Sequence, residues 1–131
     1  MKEQKVFTQF HKKTKRDYVG RMMDGKIHCM TKARKFEKEY WDGPRRYGYG
    51  GYKFIPGLIT PMAKRIIKIY KLNNSSKVLD VGCGKGFLLY EIKKILPNID
   101  IYGFDISKHG LKYSKKEVKK YLYFADVKKK I

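Results

Sequence analysis

Acidic residues are scarce in this chain. Its 131 residues carry 12 Asp and Glu against 32 Lys and Arg, for a formal net charge of +20. Cysteine (two), proline (four), histidine (three) and tryptophan (one) are also sparse. Each scarcity excludes something. Two cysteines, Cys29 and Cys83, make no disulfide framework, and Cys83 sits inside a glycine-rich turn; the expectation is a reducing, cytoplasmic setting. His11, His28 and His109 have no ligand spacing, and adjacent His28 and Cys29 suit a shared metal poorly, so no metal site is expected. No apolar run approaches the length of a membrane span. The first residues, Met1-Lys2-Glu3-Gln4-Lys5, lack the apolar core of a secretion signal. The length allows one small domain with a modest core.

The excess charge is mostly lysine, 26 of the 32 cations. Such a balance suits nucleic acid or another anionic partner. It also suits helices whose solvent faces are filled with lysine, as at Lys93-Lys94, Lys115-Lys116 and Lys119-Lys120. With only six arginines, the residue that phosphate-reading surfaces favour, the second account is preferred.

The most specific signal is Lys77 to Phe87. A short apolar strand (Val78, Leu79, Val81) runs into glycines at alternate positions, Gly82, Gly84 and Gly86, and a helical pattern follows at once. Glycine belongs where the backbone takes positive φ or must come close to a ligand, and a helix start offers free N–H groups. The spacing Gly-x-Gly-x-Gly is neither a dinucleotide fingerprint nor a phosphate-binding loop. Asp80, two residues before the first glycine, repels a pyrophosphate and favours a ligand with a nearby cation, an ammonium or a sulfonium. The run Ile99–Ile106 alternates like a strand and ends at Asp105, about 20 residues past the turn, where an acid meets ribose hydroxyls. Ile106 is placed to cover an adenine ring, and Asp126, after strand-like Tyr121–Ala125, to read its amino group. Cys83 has no evident base partner and reads as a small filler of a tight turn.

These segments resemble the class I S-adenosylmethionine-dependent methyltransferases. Val78-Leu79-Asp80-Val81-Gly82-Cys83-Gly84-Lys85-Gly86 is similar to that family's first motif, Gly103-Phe104-Asp105-Ile106-Ser107 to its second and Phe124-Ala125-Asp126 to its third. The likeness covers about residues 58–131. The Tyr40–Gly57 run is similar to the aromatic, glycine-rich lead-in of some bacterial small-molecule methyltransferases. The resemblance implies S-adenosyl-L-methionine as cofactor and a methyl acceptor that is a small molecule or sugar intermediate. It names no catalytic base.

Two zones follow from composition. Residues 1–57 are basic and aromatic, with helical patterns over Lys12–Met23 and Thr31–Tyr40 and a glycine-tyrosine loop after Asp42-Gly43-Pro44. That loop is either a flexible basic cover of the sheet edge or a lid, with Tyr47, Tyr49 and Tyr52 walling the cofactor and Arg45 or Arg46 pairing its carboxylate. Residues 58–131 read as helix (Thr60 to about Leu72), strand, helix (Gly86–Leu96), strand, helix (Lys108–Lys120) and strand. The expected fold class is α/β, a Rossmann-like parallel sheet with flanking helices, incomplete at about three strands. It is read as the front half of a methyltransferase, or as a truncated or split gene product. The third strand then has an unpaired apolar edge that asks for a partner chain or oligomer. Two other functions compete: a catalytically silent basic module that binds nucleic acid or a partner subunit, and another nucleotide-binding enzyme, nicotinamide-dependent or aminopropyl-transferring.

Overall fold

The computed structural model describes residues 15–129. His11 and the Lys12–Thr14 start of the first helical pattern lie outside the described residues. The N-terminal zone holds three short helices: α1 (Tyr18–Met23), α2 (Lys26–Ala33) and α3 (Lys38–Trp41). Asp17 caps α1 by accepting the Gly20 N–H at 2.9 Å. The single helix expected over Thr31–Tyr40 is instead two, α2 and α3. Phe36, at φ 50°, reverses the chain between them, and its ring packs edge-on against Tyr40. Side-chain periodicity carries no trace of that left-handed residue.

Then come α4 (Thr60–Tyr70), β1 (Lys77–Val81), α5 (Phe87–Ile95), β2 (Asp100–Asp105), α6 (Lys108–Lys112), a 3-10 turn (Lys119–Tyr121) and β3 (Leu122–Phe124). Pro61 sits in the first turn of α4, where its missing N–H costs nothing. Thr60 does not cap the helix; its hydroxyl donates to Glu91 Oε2 at 2.8 Å. The helix expected to reach Lys120 stops at Tyr113, because few apolar residues (Leu111, Val118) hold the following stretch to the core.

The strands form one parallel sheet in the order β1-β2-β3, with Val78 beside Ile101, Asp80 beside Gly103, and Asp105 beside Phe124. The core lies on one face, where Ala63 of α4 and Leu89 and Ile92 of α5 pack with Ile99, Ile101 and Val118. The opposite face leaves Leu79, Val81, Tyr102 and Tyr123 exposed. Uncovered apolar surface is therefore broader than the strand edge expected from sequence. Among the described residues no helix is long and apolar enough to cross a membrane.

Candidate functional site

The three glycines after β1 all take positive φ: 83° at Gly82, 54° at Gly84 and 70° at Gly86. Their surroundings differ. A Cβ on Gly82 would meet nothing within 4 Å, whereas one on Gly84 would stand 2.5 Å from Trp41 Cη2 and one on Gly86 2.8 Å from Leu122 Cδ1. Gly82 thus leaves its backbone open, Gly84 accepts an indole, and Gly86 lets the start of α5 close on β3.

Asp105 pins this turn. Its Oδ2 accepts the Gly84 N–H at 2.8 Å and its Oδ1 the Ser107 N–H at 2.7 Å. Ser107 Oγ in turn accepts Trp41 Nε1–H and the Gly110 N–H, both at 2.8 Å. Asp80 is the second acid. Burial, and then the charge of Asp105, push its carboxyl above the usual range. No cation among the described residues pairs with it. Two carboxylates thus share a partly desolvated region without a counter-charge, which a positively charged ligand would relieve. Burial, then Asp80 and Asp105, push the Cys83 thiol up to about 12, so Cys83 is a poor nucleophile.

An aromatic cover lies over the turn. Trp41 stacks on Tyr49, with centroids 5.4 Å apart and planes 7° from parallel. Tyr49 meets Tyr52 at 4.4 Å, and Tyr52 stacks on Phe87 of α5 at 5.0 Å. Burial first, then neighbouring tyrosines, raise the Tyr40 and Tyr52 hydroxyls to about 12, so both are neutral at any physiological pH. Charge fastens the cover. Lys85 Nζ donates to both Asp42 oxygens and to the Tyr52 carbonyl, each at 2.8 Å. His109 Nε2 lies 2.7 Å from Asp42 Oδ2. Burial tends to raise the Asp42 carboxyl, but the hydrogen bonds from Lys85 and His109 outweigh it and hold the group below its ordinary range. Glu37 accepts the Lys108 and His109 N–H groups at 3.1 and 3.0 Å.

Between cover and strand ends is a cavity of about 570 Å³, lined among others by Gly82, Asp105, Ile106, Asp126, Tyr40, Trp41 and Tyr49. The fold therefore gathers Gly82, Asp105, Ile106, Asp126 and Tyr49 around one space. Asp80, Gly84 and Gly86 stand next to it without lining it. Arg46 is elsewhere. It pairs with Asp24 at 2.7 Å and borders a separate cavity of about 390 Å³ between α1 and α2. Arg45 donates to the Gly48 carbonyl. Tyr47 packs beside His28, under Lys32 and Arg46. The cations at the main cavity are Arg34 and Lys128, which sequence reasoning passed over, as it did Trp41; Ser107 was named only within the second motif and as a helix start, and Tyr40 only on a helix face and at the start of the aromatic lead-in. A lone tryptophan directly before Asp-Gly-Pro was the available signal for Trp41; nothing local marks Arg34.

Residues 72–129 match the methyltransferase-domain family. A stretch of 74 residues, 55% of the chain, is 31% identical to the uncharacterized protein MG259 homolog of Mycoplasma pneumoniae, of which it covers 16%. The structure is similar to that of coclaurine N-methyltransferase bound to N-methylheliamine and SAH, with a TM-score of 0.44 and 15% identity over 95% of this chain and 42% of that one. The chain thus spans less than half the length of either protein.

Proposed function

Residues 72–129 match the methyltransferase-domain family, and we propose that the chain binds S-adenosyl-L-methionine in the cavity over Gly82 and serves methyl transfer to a small-molecule acceptor. The observation that carries this reading is the Asp80–Asp105 pair, un-neutralised beneath an open glycine backbone. It suits a ligand with a sulfonium and an ammonium and opposes a diphosphate. The cavity volume lies in the range of small-molecule sites. When bound, the cofactor supplies a methyl group already activated by its positive sulfur.

The chain's own residues bind, orient and exclude water. Gly82 lets the ligand approach the main chain. Each Asp105 oxygen spends one lone pair on a backbone amide and keeps another for a ribose hydroxyl. Ile106, half out in the cavity, offers an apolar surface to a purine, and Asp126 an acceptor for an exocyclic amine. Tyr40, Trp41 and Tyr49 wall the space against water, which strengthens the electrostatics inside it. Arg34 and Lys128 take the carboxylate-pairing role first given to Arg45 or Arg46. In this scheme residues 58–131 form the cofactor-binding part, and the described segment 15–57 supplies its cover.

A small acceptor fits an aromatic-walled space of about 570 Å³. A polynucleotide would need a basic surface at the same place. The lysine-rich composition and sparse cysteine fit a cytoplasmic location. Titration calorimetry of the chain with S-adenosylmethionine, S-adenosylhomocysteine and NAD tests the proposal. The two sulfur compounds should bind and raise the melting temperature, by an amount equivalent to about 2.7 kcal/mol at a hundredfold excess over Kd. Binding of NAD alone, or of none of the three, overturns it.

A further inference from the structure

A groove of about 460 Å³ lies between α6 and β3, and its lining is Leu111, Leu122, Phe124, Lys108, Lys112 and Lys119. The floor is apolar, and every charged side chain around it is a cation. Phe124 is 55% exposed, and Lys108 Nζ stands 5.3 Å from the centre of its ring. β3 is the outermost strand, paired only with β2. Main-chain groups of a strand alternate in direction. The Ala125 N–H points inward to Asp105 O at 3.1 Å, so the Phe124 N–H points outward. The Leu122 N–H is taken by Lys119 O, so the groove joins one outward main-chain donor, at Phe124, with apolar subsites and a ring of positive charge.

We propose that this groove docks an acidic peptide segment, which adds to β3 as an extended strand. Main-chain pairing along an edge supplies affinity and alternate side chains supply specificity. Alternate side chains of the partner strand, those on the α6 side of the sheet, would face the groove, an apolar one on Leu111, Leu122 and Phe124 and carboxylates flanking it against Lys108, Lys112 and Lys119. Charge rejects two other occupants. A second copy of this chain carries +20 itself, and residues 1–14 hold four lysines against one glutamate. RNA fits less well. The groove has one aromatic ring and no arginine, whereas single-stranded nucleic acid is held by successive stacking platforms. Edge lysines also guard strands against aggregation, and that role alone predicts no binding.

Fluorescence polarisation of the full chain with a labelled Glu-Val-Leu-Val-Glu-Val peptide, which turns Glu, Leu and Glu to one face, tests this. Binding should weaken at least tenfold in the K108E/K112E/K119E variant. It should weaken similarly when the peptide's valines become prolines, which cannot donate to the edge. The lysines are exposed, so the variant should keep its unfolding transition; a triple Lys→Gln variant, intermediate in affinity, guards against misfolding of the first. Absence of peptide binding, equal binding by wild type and variants, or tighter binding of an oligouridylate than of the peptide each overturns the proposal. None of these results bears on S-adenosylmethionine binding.

Discussion

Two glycines two residues apart should respond to the same substitution in opposite ways. At Gly84 an alanine must hold φ near 54°, and its Cβ would stand 2.5 Å from Cη2 and 3.2 Å from Cζ3 of Trp41. The left-handed backbone costs about 1–2 kcal/mol. Overpacking adds about 1–3 kcal/mol, because the indole is held at both ends: Nε1 is tied to Ser107 Oγ and Phe36 O, and the ring is stacked on Tyr49. Gly84→Ala should therefore destabilise by about 2–5 kcal/mol in all. At Gly82 the Cβ meets nothing, so Gly82→Ala should cost only the backbone component of about 1–2 kcal/mol. It should instead block the cavity, lowering affinity for S-adenosylhomocysteine at least tenfold. Urea unfolding and calorimetry separate the two effects. The double variant Gly84→Ala/Trp41→Leu tests the stated cause, since a smaller side chain relieves the clash; a coupling energy of at least about 1 kcal/mol is expected for contacting residues. Equal destabilisation at both glycines, or additive behaviour of the double variant, would refute the reasoning.

Other expectations follow from the two acids and the fastening of the cover. Asp105→Ala orphans the Gly84 and Ser107 N–H groups at about 1–3 kcal/mol each and should weaken S-adenosylmethionine binding at least tenfold; unchanged affinity by calorimetry contradicts its role. Asp80 has a raised folded pKa, so its contribution to stability is present at acidic pH and lost as pH rises through that value. Asp80→Asn should then raise the melting temperature at neutral pH, with the gain vanishing in acid, while cofactor affinity falls; a lowered melting temperature at neutral pH would count against it. Asp42 has the opposite sign. Its folded pKa is depressed, so its stabilisation is present above the ordinary carboxylate range and drains away as pH falls through the depressed value. Asp42→Asn should flatten the acid limb of stability against pH, and an unchanged limb would show that the Lys85–Asp42–His109 cluster does not fasten the cover.

The strands and helix around the glycine turn were legible because each signal was local. Val78, Leu79 and Val81 before alternate glycines, Pro97 after the Leu88–Leu96 stripe, and the Ile99–Asp105 alternation depend only on neighbours in the chain. The same reasoning failed where a left-handed residue, a thin apolar face or a distant partner decided the outcome. Phe36 takes a left-handed turn beside Tyr40, and Lys108–Lys120 is too poor in apolar residues to continue α6 against the core. Arg46, adjacent in sequence to the loop that covers the cavity, is drawn away by Asp24, and Arg34 stands at the cavity instead.

Read in isolation, the residues determined a parallel α/β chain with an acid-flanked glycine bend, because strand alternation, helix periodicity and glycine spacing are properties of short segments. Tertiary structure alone decided which glycine stays open, which acid lacks a cation and which aromatics roof the cavity. Those depend on where Trp41, Asp42 and Glu37 meet Gly84, Lys85 and α6, and side chains so far apart in sequence meet only after the chain has packed.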